Sequence, residues 1–147
     1  MNFSLADKKL GIIGLGNMGQ SVLKALLKSQ TLKEDQIYVH TRSEGKIKKI
    51  LSRYQVHQTE TAEQLVDHCD LVLFSVQPQD LLELLEPLRG AFTSEKVAMS
   101  MAPGISLRTL RKYLPEPSLV RIMPSAPALV SRGVIHFCIP ESDMILE

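Results

Sequence analysis

The apolar run Leu10-Gly11-Ile12-Ile13-Gly14-Leu15 has strand length, and it leads through Gly14, Gly16 and Gly19 into a segment of helical period. There Met18, Val22 and Leu26 fall on one face, with Leu23 and Leu27 beside them, which predicts a helix over residues 17 to 29. A strand that turns through glycines into an amphipathic helix cannot lie in a hairpin, because its chain leaves the strand end to pack back across the sheet. The alternation then repeats. Residues 36 to 40 form a second strand, a charged helix follows over 44 to 53, and Tyr54 to Gln58 make a short edge strand. Thr61-Ala62-Glu63-Gln64 has the form of a capping box, so a helix starts there. Residues 70 to 76 are an unbroken apolar strand of the kind buried on both faces of a parallel sheet.

Pro78 opens the next helix, where Leu81, Leu84, Leu85 and Leu88 recur at i, i+3, i+4 and i+7, and Pro87 should end or bend it. Residues 96 to 101 give a strand, Pro103-Gly104 a turn, and Ser106 caps a helix carrying Leu107, Leu110 and Leu114 up to Pro115. Residues 118 to 123 and 133 to 139 are further strands. Strand and helix alternating at this spacing imply right-handed βαβ units, and hence an α/β fold with a doubly wound, mostly parallel sheet of Rossmann type. With 147 residues, 44% of them hydrophobic, the chain is expected to form one domain.

Charge and cysteine usage narrow the function classes. Seventeen basic against sixteen acidic residues leave a net charge of +1, and the only local basic run is Lys46-Ile47-Lys48-Lys49, so neither nucleic acid nor a membrane surface is an expected partner. Cys69 and Cys138 lack a paired spacing and sit in apolar surroundings, as buried, reduced thiols do. The N-terminus has no signal-peptide pattern and no run approaches a membrane span, which places the expected protein in the cytoplasm. Residues 141 to 147 follow the last strand without a closing helix, and the chain is expected to be a fragment of a longer one.

Gly14-Leu15-Gly16-Asn17-Met18-Gly19 matches G-x-G-x-x-G, a strong pattern only between a strand and a helix, which is its setting here. In a dinucleotide site Gly14 makes the tight turn, Gly16 lets the backbone approach a pyrophosphate, and Gly19 lets helix and strand pack closely, while the helix start offers free N–H groups to the phosphates. The alternative is that the glycines merely make the turn. An NAD site carries an acid about 20 residues further on, at the tip of the second strand. This chain has Thr41-Arg42-Ser43 instead. A guanidinium flanked by two hydroxyls suits a ribose 2′-phosphate, so NADP(H) is expected as cofactor, with NAD(H) as the alternative.

No residue stands out as catalytic. His40, His57, His68 and His136 show no metal-ligand spacing, no metal is expected, and Ser75 and Ser100 have no nucleophile elbow around them. The chemistry must come mainly from the cofactor.

Three stretches in order, residues 11 to 27, 71 to 89 and 97 to 134, resemble the N-terminal coenzyme domain of the pyrroline-5-carboxylate reductase family over nearly the whole chain. The segment from Arg121 to Val130, R-x-M-P-x-x-P-A-L-V, is the more specific part. The resemblance implies reduction of a cyclic imino acid, pyrroline-5-carboxylate, to proline by NAD(P)H. It implies that the turn from Gly14 to Gly19 holds the pyrophosphate and that Arg42-Ser43 meet the adenosine ribose or its phosphate. Ser75, Val76, Gln77 and Pro78, together with Met101, Ala102, Pro103 and Gly104, would line the nicotinamide ribose and ring. Met123, Pro124 and Ser125, continuing to Ala126 and Pro127, would form the substrate floor. Such reductases carry a second, helical domain that dimerises, so the full-length form is expected to be a homo-oligomer. This chain departs from the family in having Gln77 for Lys, Ser125 for Asn, Ala126 for Thr, and Pro103 for a small residue. Those departures keep open a nucleotide-binding regulatory module that has lost the chemistry, and the shared first turn keeps open a related β-hydroxyacid-type dehydrogenase. An exposed apolar edge around residues 133 to 139 would suit a second domain or another protein.

Overall fold

The computed structural model describes residues 4 to 124 and the strand at 135 to 138. Its elements alternate as β1 (Leu10–Ile13), α1 (Asn17–Lys28), β2 (Ile37–His40), α2 (Glu44–Leu51), β3 (His57–Gln58), α3 (Ala62–His68), β4 (Leu71–Phe74), α4 (Pro78–Leu88), β5 (Val97–Ser100), α5 (Leu107–Tyr113), β6 (Ser118–Pro124) and β7 (Ile135–Cys138). They form a single seven-stranded sheet in the order β3-β2-β1-β4-β5-β6-β7. The first six strands are parallel, and β7 pairs antiparallel with β6. The strand order reverses direction between β1 and β4, which makes the carboxyl ends of these two strands the switch point of a doubly wound fold.

Register brings the strand ends level. Ile13 pairs with His40 on one side and with Phe74 on the other, and Phe74 pairs with Ser100. The loops after β1, β2, β4 and β5 therefore leave the sheet at one height.

Helices cover both faces. Ile13, Leu65, Phe74, Leu81, Leu85, Leu88, Leu110 and Leu119 form a core beneath α3, α4 and α5. On the opposite face Leu10, Ile12, Leu23, Ile37, Val39, Ile47, Ile50 and Leu73 pack beneath α1 and α2. The two-residue period of β1 supplies both cores, with Leu10 and Ile12 on one side and Ile13 on the other. Each fully buried aliphatic side chain in these layers contributes roughly 1.5–3 kcal/mol.

Caps set the helix starts. The Thr61 hydroxyl accepts from the Gln64 N–H at 3.1 Å, and Gln64 Oε1 reaches back to the Glu60 N–H at 3.0 Å, one residue before the cap itself. Ser106 accepts from the Thr109 N–H at 3.1 Å. At the other end of α3, Lys96 Nζ donates to the carbonyls of Val66 and Cys69 at 2.8 Å each, joining the Cys69 N–H on the Val66 carbonyl and tying down the C-cap.

Three expectations are corrected. All strands but β6 are shorter than the runs that mark them, because in β1 and β4 the last apolar residues, Leu15 and Val76, already belong to the turns, whereas β6 runs one residue further, to Pro124. The second helix stops at Leu51, where Ser52 takes over as its C-cap. Met18 does not join the buried face of α1 but is exposed, since it lies in the first turn, beyond the end of β1 at Ile13. Helix α4 contains Pro87, whose missing N–H leaves the Glu83 carbonyl without its helical donor, and ends one residue later at Leu88. Cys69 is free and buried, and that burial pushes its thiol up to about 12, against the lowering influence of Lys96. The Cys138 side chain and the sequence around the 133–139 run lie outside the described residues, apart from the backbone of β7.

Candidate functional site

A cleft of about 300 Å³ opens at the carboxyl ends of β1, β2 and β4. Its walls are Ile13 to Gly16 from the first turn, His40 to Ser43 and Lys46 from the second, and Ser75 to Gln77, Asp80 and Leu84 from the third. The size and the few convergent polar groups suit a small-molecule site.

The first turn is tied down on both sides. The Gly14 N–H donates to the His40 carbonyl at 2.9 Å, and the Ser75 N–H donates to the Ile13 carbonyl at 2.8 Å. Gly14 has φ +99°, and a Cβ there would run into the Ser75 carbonyl and lie 2.9 Å from Val76 Cγ1. A Cβ at Gly19 would strike the Gly14 carbonyl, with Ser75 Oγ at 3.0 Å. The turn and the helix–strand approach thus account fully for these two glycines.

Gly16 differs. Its φ of −69° and ψ of −171° are open to any residue, and a Cβ placed there would meet nothing within 4 Å. The fold does not need a glycine at this point. What a side chain at Gly16 would obstruct is the cleft itself, in front of the start of α1. That start has no side-chain cap and no acidic residue in its first turn, so its leading N–H groups and positive dipole end, next to the cleft-lining Gly16, are not neutralised by a side chain. An anion is the natural complement.

The second turn supplies two cations. Arg42 and Lys46 are both exposed at the cleft wall. Ser43 is the N-cap of α2, and its Oγ accepts from the Lys46 N–H at 3.5 Å, while the Ser43 N–H donates to Thr41 Oγ1 at 3.4 Å. Side chains on a helix tilt toward its N-terminus, and Lys46 lines the same cleft as Arg42. Two positive groups and two hydroxyls gather within one turn, an arrangement suited to a phosphate monoester, while the start of α2 itself is capped by Ser43 and carries Glu44 in its first turn. Lys46 belongs to a run that reads in the sequence as a solvated basic patch. Its spacing as the third residue of a helix capped by Ser43 was the available signal.

The cleft brings together Gly14, Leu15, Gly16, Thr41, Arg42, Ser43, Ser75, Val76 and Gln77 of the expected site residues. Asn17, Met18, Gly19 and Pro78 flank it at the starts of α1 and α4 without lining it. Met101 to Gly104 stand one strand further along. The Met101 N–H donates to the Phe74 carbonyl at 3.1 Å, which joins this loop to the end of β4, and Ala102 is buried in the core with its N–H on Ser100 Oγ at 3.2 Å. Met123 is 52% exposed near the end of β6, and Ser125, Ala126 and Pro127 lie outside the described residues. His40, Lys46, Asp80 and Leu84 line the cleft without having been singled out from the sequence. Of the described histidine side chains, His40 lines the cleft with its Nδ1 3.2 Å from the Thr59 carbonyl, while the His57 and His68 rings stack on Tyr38 with centroids at 4.6 and 5.2 Å.

Residues 9–104 match the family described as NADP oxidoreductase, coenzyme F420-dependent. The chain belongs to this family. Within that NADP oxidoreductase setting, its similarity to pyrroline-5-carboxylate reductases runs over most of its length. It is 30% identical over 129 residues to the pyrroline-5-carboxylate reductase of Escherichia coli strain K12, covering 87% of this chain and 48% of the relative. With that of Haemophilus influenzae it shares 34% identity over 139 residues, 94% of this chain and 51% of the relative. The chain therefore spans about half the length of the curated relatives it matches. The fold is also that of the Plasmodium falciparum pyrroline carboxylate reductase solved with NADP bound, with a TM-score of 0.81 at 23% identity over 95% of this chain and 50% of that one.

Proposed function

We propose that this chain is the coenzyme-binding part of an NADP(H)-dependent reductase that converts pyrroline-5-carboxylate to proline. The observation that carries the reading is Gly16, a glycine that neither dihedral angle nor packing requires, set at the mouth of a cleft in front of an uncapped helix start. The similarity to pyrroline-5-carboxylate reductases supports the substrate, and the bound NADP of the Plasmodium falciparum enzyme is consistent with the cofactor.

In this reading the backbone of Gly14, Leu15, Gly16, Asn17, Met18 and Gly19 receives the pyrophosphate. Arg42 and Lys46, with Thr41 and Ser43, take the 2′-phosphate. Each charge-assisted bond is worth roughly 1.5–3 kcal/mol when shielded and less at exposed side chains such as these, so the pair yields a preference for NADPH over NADH of about tenfold. Ser75, Val76, Gln77 and Pro78 lead from the cleft toward Met101, Ala102, Pro103 and Gly104, where the ribose and nicotinamide lie, and Met123, Pro124 and Ser125 form the floor under the imino acid. When bound, the reduced nicotinamide supplies a hydride to the imine carbon, and the ring nitrogen takes a proton. The chain's own contribution is alignment of two planar groups, which hydride transfer needs more than it needs a strong acid. A helical domain that dimerises would complete the substrate pocket, so that the assembled enzyme is a homo-oligomer in the cytoplasm.

The test is calorimetric titration of the chain with NADPH and with NADH at one ionic strength. Tighter binding of NADPH is the expected result. Absence of binding by both would overturn the reading in favour of a module that keeps the fold without the cofactor.

A further inference from the structure

The α4 wall of the cleft has so far only closed the space. Gln77, Asp80 and Leu84 follow one another at three- and four-residue spacing and so share one face of the helix start, and all three line the cleft with Arg42, Ser43 and Lys46. The Asp80 N–H closes the first turn onto the Gln77 carbonyl at 3.0 Å. Its carboxylate is half-buried and has neither a hydrogen-bond nor an ion-pair partner among the described residues. Val76 and Leu84 beside it are partly buried apolar side chains.

We infer that Asp80 reads the adenine of the dinucleotide, accepting a hydrogen bond from its exocyclic amino group while Leu84 gives the ring an apolar surface. The inference rests on the dinucleotide reading above. With the 2′-phosphate held by Arg42 and Lys46, the base on the same ribose must lie close by, and the facing wall is this stretch of α4. An ionised carboxylate only accepts hydrogen bonds. Adenine presents an N–H donor at its 6-position, whereas hypoxanthine presents a carbonyl there, which would set two acceptors against each other. Sites built around such a bond reject the mismatched group more strongly than apolar sites reject a change of shape.

The experiment titrates the chain calorimetrically with NADPH and with reduced nicotinamide hypoxanthine dinucleotide phosphate, for the wild type, Asp80→Asn and Asp80→Ala. The wild type should bind NADPH at least about tenfold more tightly than the hypoxanthine analogue, the value of one hydrogen bond to a charged group. In Asp80→Ala the ratio should fall close to one, and in Asp80→Asn it should fall to one or invert, because the amide can donate to the 6-carbonyl. Each ratio is taken within one variant, so a change in overall stability does not enter it. Equal wild-type affinity for the two dinucleotides, or a ratio that survives in Asp80→Asn, would overturn the inference while leaving the dinucleotide site standing. That second result, with a lowered Tm, would reduce Asp80 to an acid favouring the helix dipole. Failure of the wild type to bind either ligand would overturn both.

Discussion

Substituting Gly16 separates what the first turn does for the fold from what it does for a ligand. At φ −69° and ψ −171°, with no atom within 4 Å of an added Cβ, the backbone at Gly16 accepts the β-carbon of Gly16→Val without strain or clash. Valine is a poorer N-cap than glycine, by up to about 1 kcal/mol, and restricting the unfolded chain returns about 0.4–1 kcal/mol, so the net change in stability is within about 1 kcal/mol. For a domain of this size that corresponds to a Tm shift of no more than about 4 °C. The ligand meets the opposite situation. The isopropyl group stands where the pyrophosphate must approach the N–H groups of α1, and losing two such charge-assisted bonds removes at least about 3 kcal/mol, or more than about 100-fold in Kd. Thermal unfolding and NADPH titration of the same preparation measure both quantities. Gly14→Ala is the contrasting variant, because its φ of +99° and the Ser75 carbonyl make the added methyl costly to the fold itself. Unchanged NADPH affinity in a stable Gly16→Val protein would refute the assignment and leave the glycines as a turn alone.

Arg42→Glu and Lys46→Glu should each weaken NADPH by about tenfold or more while leaving NADH within a few-fold, and equal losses for both cofactors would remove these side chains from the 2′-phosphate. Raising the ionic strength should narrow the NADPH preference in the wild type, since both cations are exposed to solvent. Leu81→Ala, at a fully buried position against β4, should cost about 2–5 kcal/mol in urea unfolding with its m-value unchanged. The Cys69 thiol, raised from 9.0 to about 12 chiefly by burial, stays protonated in the folded chain at alkaline pH at which the unfolded chain loses the proton. Its contribution to stability is therefore complete below pH 9 and declines as the pH rises toward 12, and Cys69→Ala should flatten that part of the stability profile relative to the wild type. In a Cys138→Ser chain, a thiol-specific reagent at pH 8 should react with Cys69 only on unfolding, and rapid reaction in the native state would contradict the burial.

Much of this fold is legible along the chain because the signals that specify it are local. The glycines of the first turn, the Thr61 and Ser106 caps, Pro78 at a helix start and the leucines of α4 each act on neighbours within one or two turns of backbone. They identify the elements and the α/β class without reference to anything distant. Tyr54 to Gln58 was recognisable as an edge strand for the same reason, being short and polar, and β3 occupies the sheet edge. The requirement for glycine at Gly14 comes in part from its φ of +99°, which is local, but also from the carbonyl of Ser75, sixty-one positions away and adjacent only because β4 pairs with β1. Gly16 stands apart from its companions only once the space around it is known.

The sequence by itself determined the order of strands and helices, their apolar faces, and a glycine turn with an arginine at the next strand's tip. Tertiary structure decided that β7 runs against its neighbour, that Met18 lies outside the core, and that Lys46, Asp80 and Leu84 join Arg42 around one cleft. The reversal of strand order between β1 and β4 is what gathers them. It brings the first turns of helices far apart in the chain to the same end of the sheet, and no short-range propensity encodes that juxtaposition, because it arises from burying both faces of the sheet at once.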